Sequence, residues 1–148
     1  MAEIVFQGPA ALTLDGKGRI AFPARHRPLL DAVCGNQLTV TCHPGGNHLL
    51  IYPRPTWESL RERLNGLGME AENWRAHMIG NAMDVEIDAS SRLLIAPELR
   101  EAVGLEIGGK VMLRGVGPHF ELWDVPRLAE HSARVAAAGM PEALKGFR

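Results

Sequence analysis

The segment Leu12-Thr13-Leu14-Asp15-Gly16-Lys17-Gly18-Arg19-Ile20-Ala21-Phe22-Pro23 occurs twice, in altered form, in this chain of 148 residues. The second copy is Val85-Glu86-Ile87-Asp88-Ala89-Ser90-Ser91-Arg92-Leu93-Leu94-Ile95-Ala96, an offset of 73 from Leu12 to Val85. Carried on to Leu30 and Val103, the alignment superposes Asp15 on Asp88, Arg19 on Arg92 and Arg27 on Arg100. Three identities are thin support, but the apolar pattern coincides as well, in Leu12/Val85, Leu14/Ile87, Ile20/Leu93, Phe22/Ile95 and Leu30/Val103. Farther on, an offset of 71 aligns Gly46/Gly117, His48/His119, Leu49/Phe120, Ile51/Leu122, Tyr52/Trp123 and Pro55/Pro126, so the second copy is two residues shorter in one loop. A duplication on this scale decides the fold before any single element does.

Each copy has the same local reading. Ala10, Leu12 and Leu14 alternate with Ala11 and Thr13, the period of two expected of a half-buried strand. Asp15-Gly16-Lys17-Gly18 then supplies a turn, with two glycines open to positive φ and an aspartate able to accept backbone N–H groups. Arg19-Ile20-Ala21-Phe22 resumes the strand. Pro23 as a start and Gly35 as a stop predict a helix over 24–33, with Pro28 weakening its interior. Strands at 38–41 and 48–52 flank the turn-rich 43–47, which predicts a hairpin. The second copy predicts strands at 84–87 and 92–95 around a turn at 88–91, a helix over 97–103 ending near Gly104, and strands at 110–114 and 119–123. Helices are expected at 56–65 and 70–79, broken by Gly66 and Gly68, and again at 126–138.

A unit of about 45 residues buries too little apolar surface to be comfortable alone. Two units sharing one barrel-like core solve this, so the expectation is an intramolecular pseudo-dimer of α+β class, mainly β. Repeat 1 is expected at 7–54, a helical connection at 55–81, repeat 2 at 82–126, and a C-terminal helix and tail at 127–148.

Composition bounds the function. Apolar residues make up 46% and charged residues 22%, and 16 Lys+Arg against 17 Asp+Glu give a formal net charge of -1. The chain as a whole has no bias toward polyanions, so any nucleic-acid site must be a local patch. No segment approaches the roughly 18 consecutive apolar residues of a membrane span and no secretion signal is seen, which predicts a cytoplasmic protein without membrane contact. Cys34 and Cys42 then read as small core residues rather than a disulfide. Val5-Phe6-Gln7-Gly8-Pro9 looks like a protease tag scar, but its apolar residues run into the first strand pattern and it is read as native.

The stretch 14–23 resembles the signature of the AbrB-like swapped-hairpin DNA-binding fold. The second Asp-x-x-x-Arg at Asp88 and Arg92, followed by Leu-Leu-Ile-Ala-Pro-Glu-Leu-Arg, and the later Phe120-Glu121-Leu122-Trp123-Asp124 together resemble the MraZ family. The similarity runs from about Phe6 to beyond Trp123. It implies two SpoVT-AbrB-like swapped-hairpin repeats and a DNA-binding transcriptional regulator at the promoter of the division and cell-wall gene cluster, acting as a repressor. It further implies a nucleoid location, closed homo-oligomeric rings, and contact with repeated boxes of double-stranded DNA through the Asp-x-x-x-Arg loops.

The residues allow that mechanism to be argued on its own terms. Asp15, Lys17, Arg19, Arg25 and Arg27 balance to +3, whereas Asp88, Arg92, Glu98 and Arg100 balance to 0, so the first copy is the DNA-facing candidate. Arg19 has the planar fork suited to guanine or phosphate, and Lys17 is a point charge suited to phosphate. Arg25 and Arg27 read equally as phosphate contacts or as solvated helix residues. Asp15 orients Arg19 or caps turn amides, and Gly16 and Gly18 let the turn come close. In the second copy Ser90 and Ser91 replace the lysine and glycine, so Asp88 and Arg92 read as a structural pair, worth only about 0–1 kcal/mol when exposed.

No cofactor is expected. His43 and His48 near Cys42 match no zinc spacing, so no metal site is assigned. Tyr52, Trp57, Trp74 and Trp123 read as core or subunit-interface anchors. Gly16-Lys17-Gly18 is too short for a P-loop and Ser90-Ser91 lacks a nucleophile-elbow context, so no enzyme is expected. The alternatives are an AbrB-like antitoxin or a ring-forming interaction scaffold.

Overall fold

The computed structural model describes residues 4–146. The strands are β1 (Phe6–Thr13), β2 (Arg19–Ala21), β3 (Gln37–Cys42), β4 (Leu49–Pro53), β5 (Met83–Glu86), β6 (Arg92–Leu94), β7 (Lys110–Gly117) and β8 (Phe120–Asp124). The helices are α1 (Arg27–Cys34), α2 (Arg54–Asn65), α3 (Glu72–Gly80), α4 (Pro97–Val103) and α5 (Val125–Ala138). Six strands form one antiparallel sheet in the order β1-β7-β8-β4-β3-β5, and β2 pairs with β6 in a separate ribbon.

That order is unchanged when every strand is exchanged for its repeat partner, so the repeats are related by a pseudo-twofold axis. The register locates it. Ile20 pairs with Leu93, the same position of the repeat in each copy, and Leu50 pairs with Glu121, again equivalent positions. The outer strands are exchanged: β1 of the first repeat adds to β7 of the second, and β5 of the second adds to β3 of the first. The expected pseudo-dimer is therefore interlocked, because neither repeat completes its own sheet.

Alternation explains which side chains are buried. In β3, Leu38, Val40 and Cys42 enter the main core, whereas Thr39 and Thr41 face the other side and hydrogen-bond to Asp84 and to the Met78 carbonyl of α3. In β4, Leu49 and Ile51 enter that core and Leu50 and Tyr52 pack with Trp57 and Met78. The main core lies between the sheet, the ribbon and helices α1 and α4, and draws on both repeats. Full burial of each Leu or Ile there contributes roughly 1.5–3 kcal/mol. Phe6, Phe22 and the buried His26 surround Phe120, with Phe22 edge-on to it at 5.2 Å between centroids.

Several local expectations need correction. β1 begins at Phe6, earlier than the alternation at 10–14 indicates, because Gly8 and Pro9 mask a strand held by the β7 ladder. The segment 24–33 is a 3-10 turn, Ala24–His26, followed by α1, with Pro28 in the first turn of the helix, where a missing N–H costs nothing. Gly35 and Gly104 end α1 and α4 in the left-handed conformation. Of the four aromatic side chains expected as core or subunit-interface anchors, Trp57, Trp123 and Tyr52 are buried, whereas Trp74 is 57% exposed and is outside the core. Among the described residues no helix is long and apolar enough to cross a membrane.

Candidate nucleic-acid interface

The two Asp-x-x-x-Arg turns meet at the ribbon. Ile20 and Leu93 point inward and are fully buried, so alternation turns Arg19 and Ala21 of β2, with Arg92 and Leu94 of β6, to the outer face. Arg19 lies opposite Leu94 and Ala21 opposite Arg92, which sets the two arginines diagonally across the pseudo-axis. The ends are tied by exchanged backbone bonds, Phe22 N–H to the Ser91 carbonyl and Ile95 N–H to the Gly18 carbonyl, both 2.8 Å.

Each turn is built around its aspartate. Asp15 Oδ1 accepts the amides of Lys17 and Arg19, both at 2.9 Å, and Asp15 Oδ2 receives Arg19 Nε at 3.1 Å. The Arg19 amide, with the Lys17 amide and the Arg19 guanidinium, holds the Asp15 carboxyl below its ordinary value. Asp88 Oδ1 likewise accepts the amides of Ser90 and Arg92, at 2.8 and 2.9 Å. Those amides, that of Arg92 first, and the neighbouring charges of Arg19 and Arg92 hold Asp88 low as well.

Arg92 departs from the expected structural pair. Its side chain forms no hydrogen bond or salt bridge to Asp88; it is exposed, and water solvates both charges better than a weak surface contact does. Of the two glycines, only Gly18 takes positive φ, at 79°, and Ser91 holds the equivalent conformation at 62°. Gly16 sits at an open tip with nothing near a would-be Cβ.

The remaining cations have different surroundings. Lys17 is exposed at the turn tip. The Arg25 guanidinium donates to the Pro9 carbonyl at 2.9 Å, fastening β1, and is otherwise exposed. Arg27 donates to Asn36 Oδ1 and Ser91 Oγ, so its guanidinium braces the turn of the other repeat. Its repeat mate Arg100 does the reciprocal thing: it donates to the Ile95 carbonyl and lies so close over Gly18 that a Cβ there would meet its guanidinium at 3.0 Å. The bracing by Arg27 and Arg100 is absent from the sequence reading, although their superposition in the repeat alignment was the available signal.

The histidines considered for metal are engaged in a stack. His43 lies on His48 at 4.3 Å and His48 on Trp123 at 4.0 Å, with His48 Nε2 3.4 Å from Glu121 Oε2. Burial alone would raise the Glu121 carboxyl, but His48, the Trp123 indole N–H and Arg114 hold it well below the usual carboxylate range.

The family model described as "MraZ protein, putative antitoxin-like" matches residues 5–77 and again residues 78–143. The chain belongs to the MraZ family. It is 56% identical over 147 residues to the transcriptional regulator MraZ of Methylibium petroleiphilum, covering 99% of each chain. It is 50% identical over 147 residues to the transcriptional regulator MraZ of Leptothrix cholodnii, again with 99% of each covered. A third similar relative is the transcriptional regulator MraZ of Burkholderia mallei, 50% identical over 143 residues, 97% of this chain and 99% of that one. The duplicated MraZ match agrees with the two exchanged halves seen in the structure, and the arginine ribbon is one of the places where the MraZ repeats meet.

Proposed function

We propose that the chain is a DNA-binding transcriptional regulator whose β2/β6 ribbon and flanking turns form the contact surface. The observation that carries this is the pairing of the two turns about the Ile20–Leu93 axis, which brings Arg19 and Arg92 to the outer face of the ribbon, with the exposed Lys17 in the adjoining first turn. An antiparallel two-stranded ribbon fits the major groove, and arginine is the side chain best suited to guanine edges and phosphates. Lys17 and the exposed part of Arg25 meet phosphates, Arg19 and Arg92 reach farther in, and Arg27 holds the turn rather than the DNA. Asp15, Asp88, Gly16 and Gly18 shape the two turns. No cofactor is needed, and the protein acts by binding rather than catalysis.

The reading extends to a repressor of the division and cell-wall gene cluster, binding repeated promoter boxes as a ring in the nucleoid-bearing cytoplasm. A ring would repeat the local charge at fixed spacing, so modest contacts would add by effective concentration on a subunit of net charge -1. Trp74 and Met69, both strongly exposed and apolar, suit subunit contact. The words "antitoxin-like" in the family description keep a second reading in view, in which the main partner is another protein.

Fluorescence anisotropy on the DNA upstream of the protein's own gene, titrated across salt, separates the two. The regulator predicts affinity falling steeply with salt and losses of about tenfold for Arg19→Ala and for Arg92→Ala. Salt-insensitive binding, or none, rejects it in favour of the protein-contact reading.

A further inference from the structure

We infer that Leu94 is a specificity-determining residue that packs on the C5-methyl group of one thymine in the bound box; this rests on the ribbon being the DNA surface. The four outward positions of the ribbon carry two arginines, one alanine and one leucine, and Leu94 stands 50% exposed directly opposite Arg19. Its repeat mate is Ala21, which is too short to reach as far. A large apolar side chain between two cations does not suit an apolar protein partner, because burying Leu94 there would also desolvate Arg19 and Arg92. The same cations draw a polyanion, and the apolar group that the major groove offers is the thymine methyl.

Leu94 is also held from behind. With Met83, Val40, Val85, Ala96 and Leu99, and with Asp84 as the one charged residue, it lines a mostly apolar cleft of about 70 Å³ between the ribbon and the sheet edge. Leu94 is thus half covered by that cleft and 50% exposed, which limits its freedom and makes it a more preorganised apolar reader than a wholly exposed side chain. Because Ala21 lacks the equivalent reach, the two halves of the ribbon read unlike base pairs, which fixes which way round it lies in the groove.

The test uses the full chain and duplex DNA from upstream of its gene, with thymines replaced singly by deoxyuridine, which removes the methyl and keeps the hydrogen bonds. The expected result is one thymine at which the replacement weakens wild type about fourfold, the value of one buried methyl-sized group, and leaves Leu94→Ala unaffected. Leu94→Ala alone should lose a similar factor on the unmodified duplex, with its oligomeric mass unchanged. If no thymine is sensitive, or if the sensitivity persists in Leu94→Ala, the inference is overturned while ribbon binding stands. A changed oligomeric mass with an unchanged deoxyuridine profile overturns it in favour of subunit contact. A wild type without salt-sensitive duplex binding overturns the DNA reading itself and this inference with it.

Discussion

The turns at 15–19 and 88–92 share a backbone and part in their side chains. Both seat an aspartate that accepts two amides, and both place their fourth residue at positive φ. In the first turn Arg19 is tied to its own aspartate and the tip carries Lys17; in the second Arg92 has no such tie and the tip carries Ser90. Duplication has thus kept what folds the turn and varied what the turn shows outward. Charge counting alone favours the first turn for DNA, whereas the geometry gives the second turn the freer arginine.

Substitutions can break or sharpen that contrast. The largest effects should fall on the shared part: Ile20→Ala and Leu93→Ala each remove a fully buried side chain at the pseudo-axis and should cost about 2–5 kcal/mol apiece. Near-equal losses in chemical denaturation would confirm that the halves support the core alike, and a large imbalance would show one half dominant. Next comes Gly18→Ala, which puts a Cβ at φ 79° against the Arg100 guanidinium and should cost about 1–3 kcal/mol. Ser91→Gly relieves the same conformation but removes the Arg27 partner, and should stay within about 1 kcal/mol of wild type. A Gly18→Ala protein as stable as wild type would refute the close packing at that turn.

Acid gives a smaller, graded effect. Burial, with neighbouring histidines, holds His43 and His119 below their ordinary value of 6.5, so the folded chain takes up protons there at lower pH than the unfolded chain does. Their contribution is therefore full above about pH 6.5 and declines as pH falls below it. Glu121 has the usual carboxylate sign: its contribution is present above its unfolded value of 4.5 and is lost at lower pH. A thermal scan should show Tm lower by on the order of 3 °C at pH 5.5 than at pH 7.5, with a flatter profile in His43→Gln. The smallest expected change is in Ser90→Lys, which copies the first tip onto the second and should steepen the log–log salt dependence of DNA affinity by about 0.9.

Much of this was legible because it is local or periodic. The repeat, the aspartate turns, the β3/β4 hairpin, α4 and its stop at Gly104 follow from spacing and from glycine and proline chemistry. Which strand pairs with which did not follow, since alternation says that a strand is half-buried but not who lies beside it. Arg27 shows the same limit at the site: its neighbours in sequence suggest a phosphate contact or a solvated helix cation, and only the pairing of β2 with β6 brings Ser91 to its guanidinium. Arg92 shows a related limit. An Asp-x-x-x-Arg spacing allows an ion pair in both turns, and water decides whether it forms.

The exchange of outer strands also sets a timetable for synthesis. Phe6 pairs with Gly117 and Thr13 with Lys110, so β1 leaves the ribosome about 100 residues ahead of its partner. At about 5–20 residues per second, that strand waits roughly 5–20 s for β7 to be made. During the wait it is a free edge open to wrong partners, and Pro9, which can donate no ladder bond, is the kind of residue that keeps such an edge from recruiting a stranger.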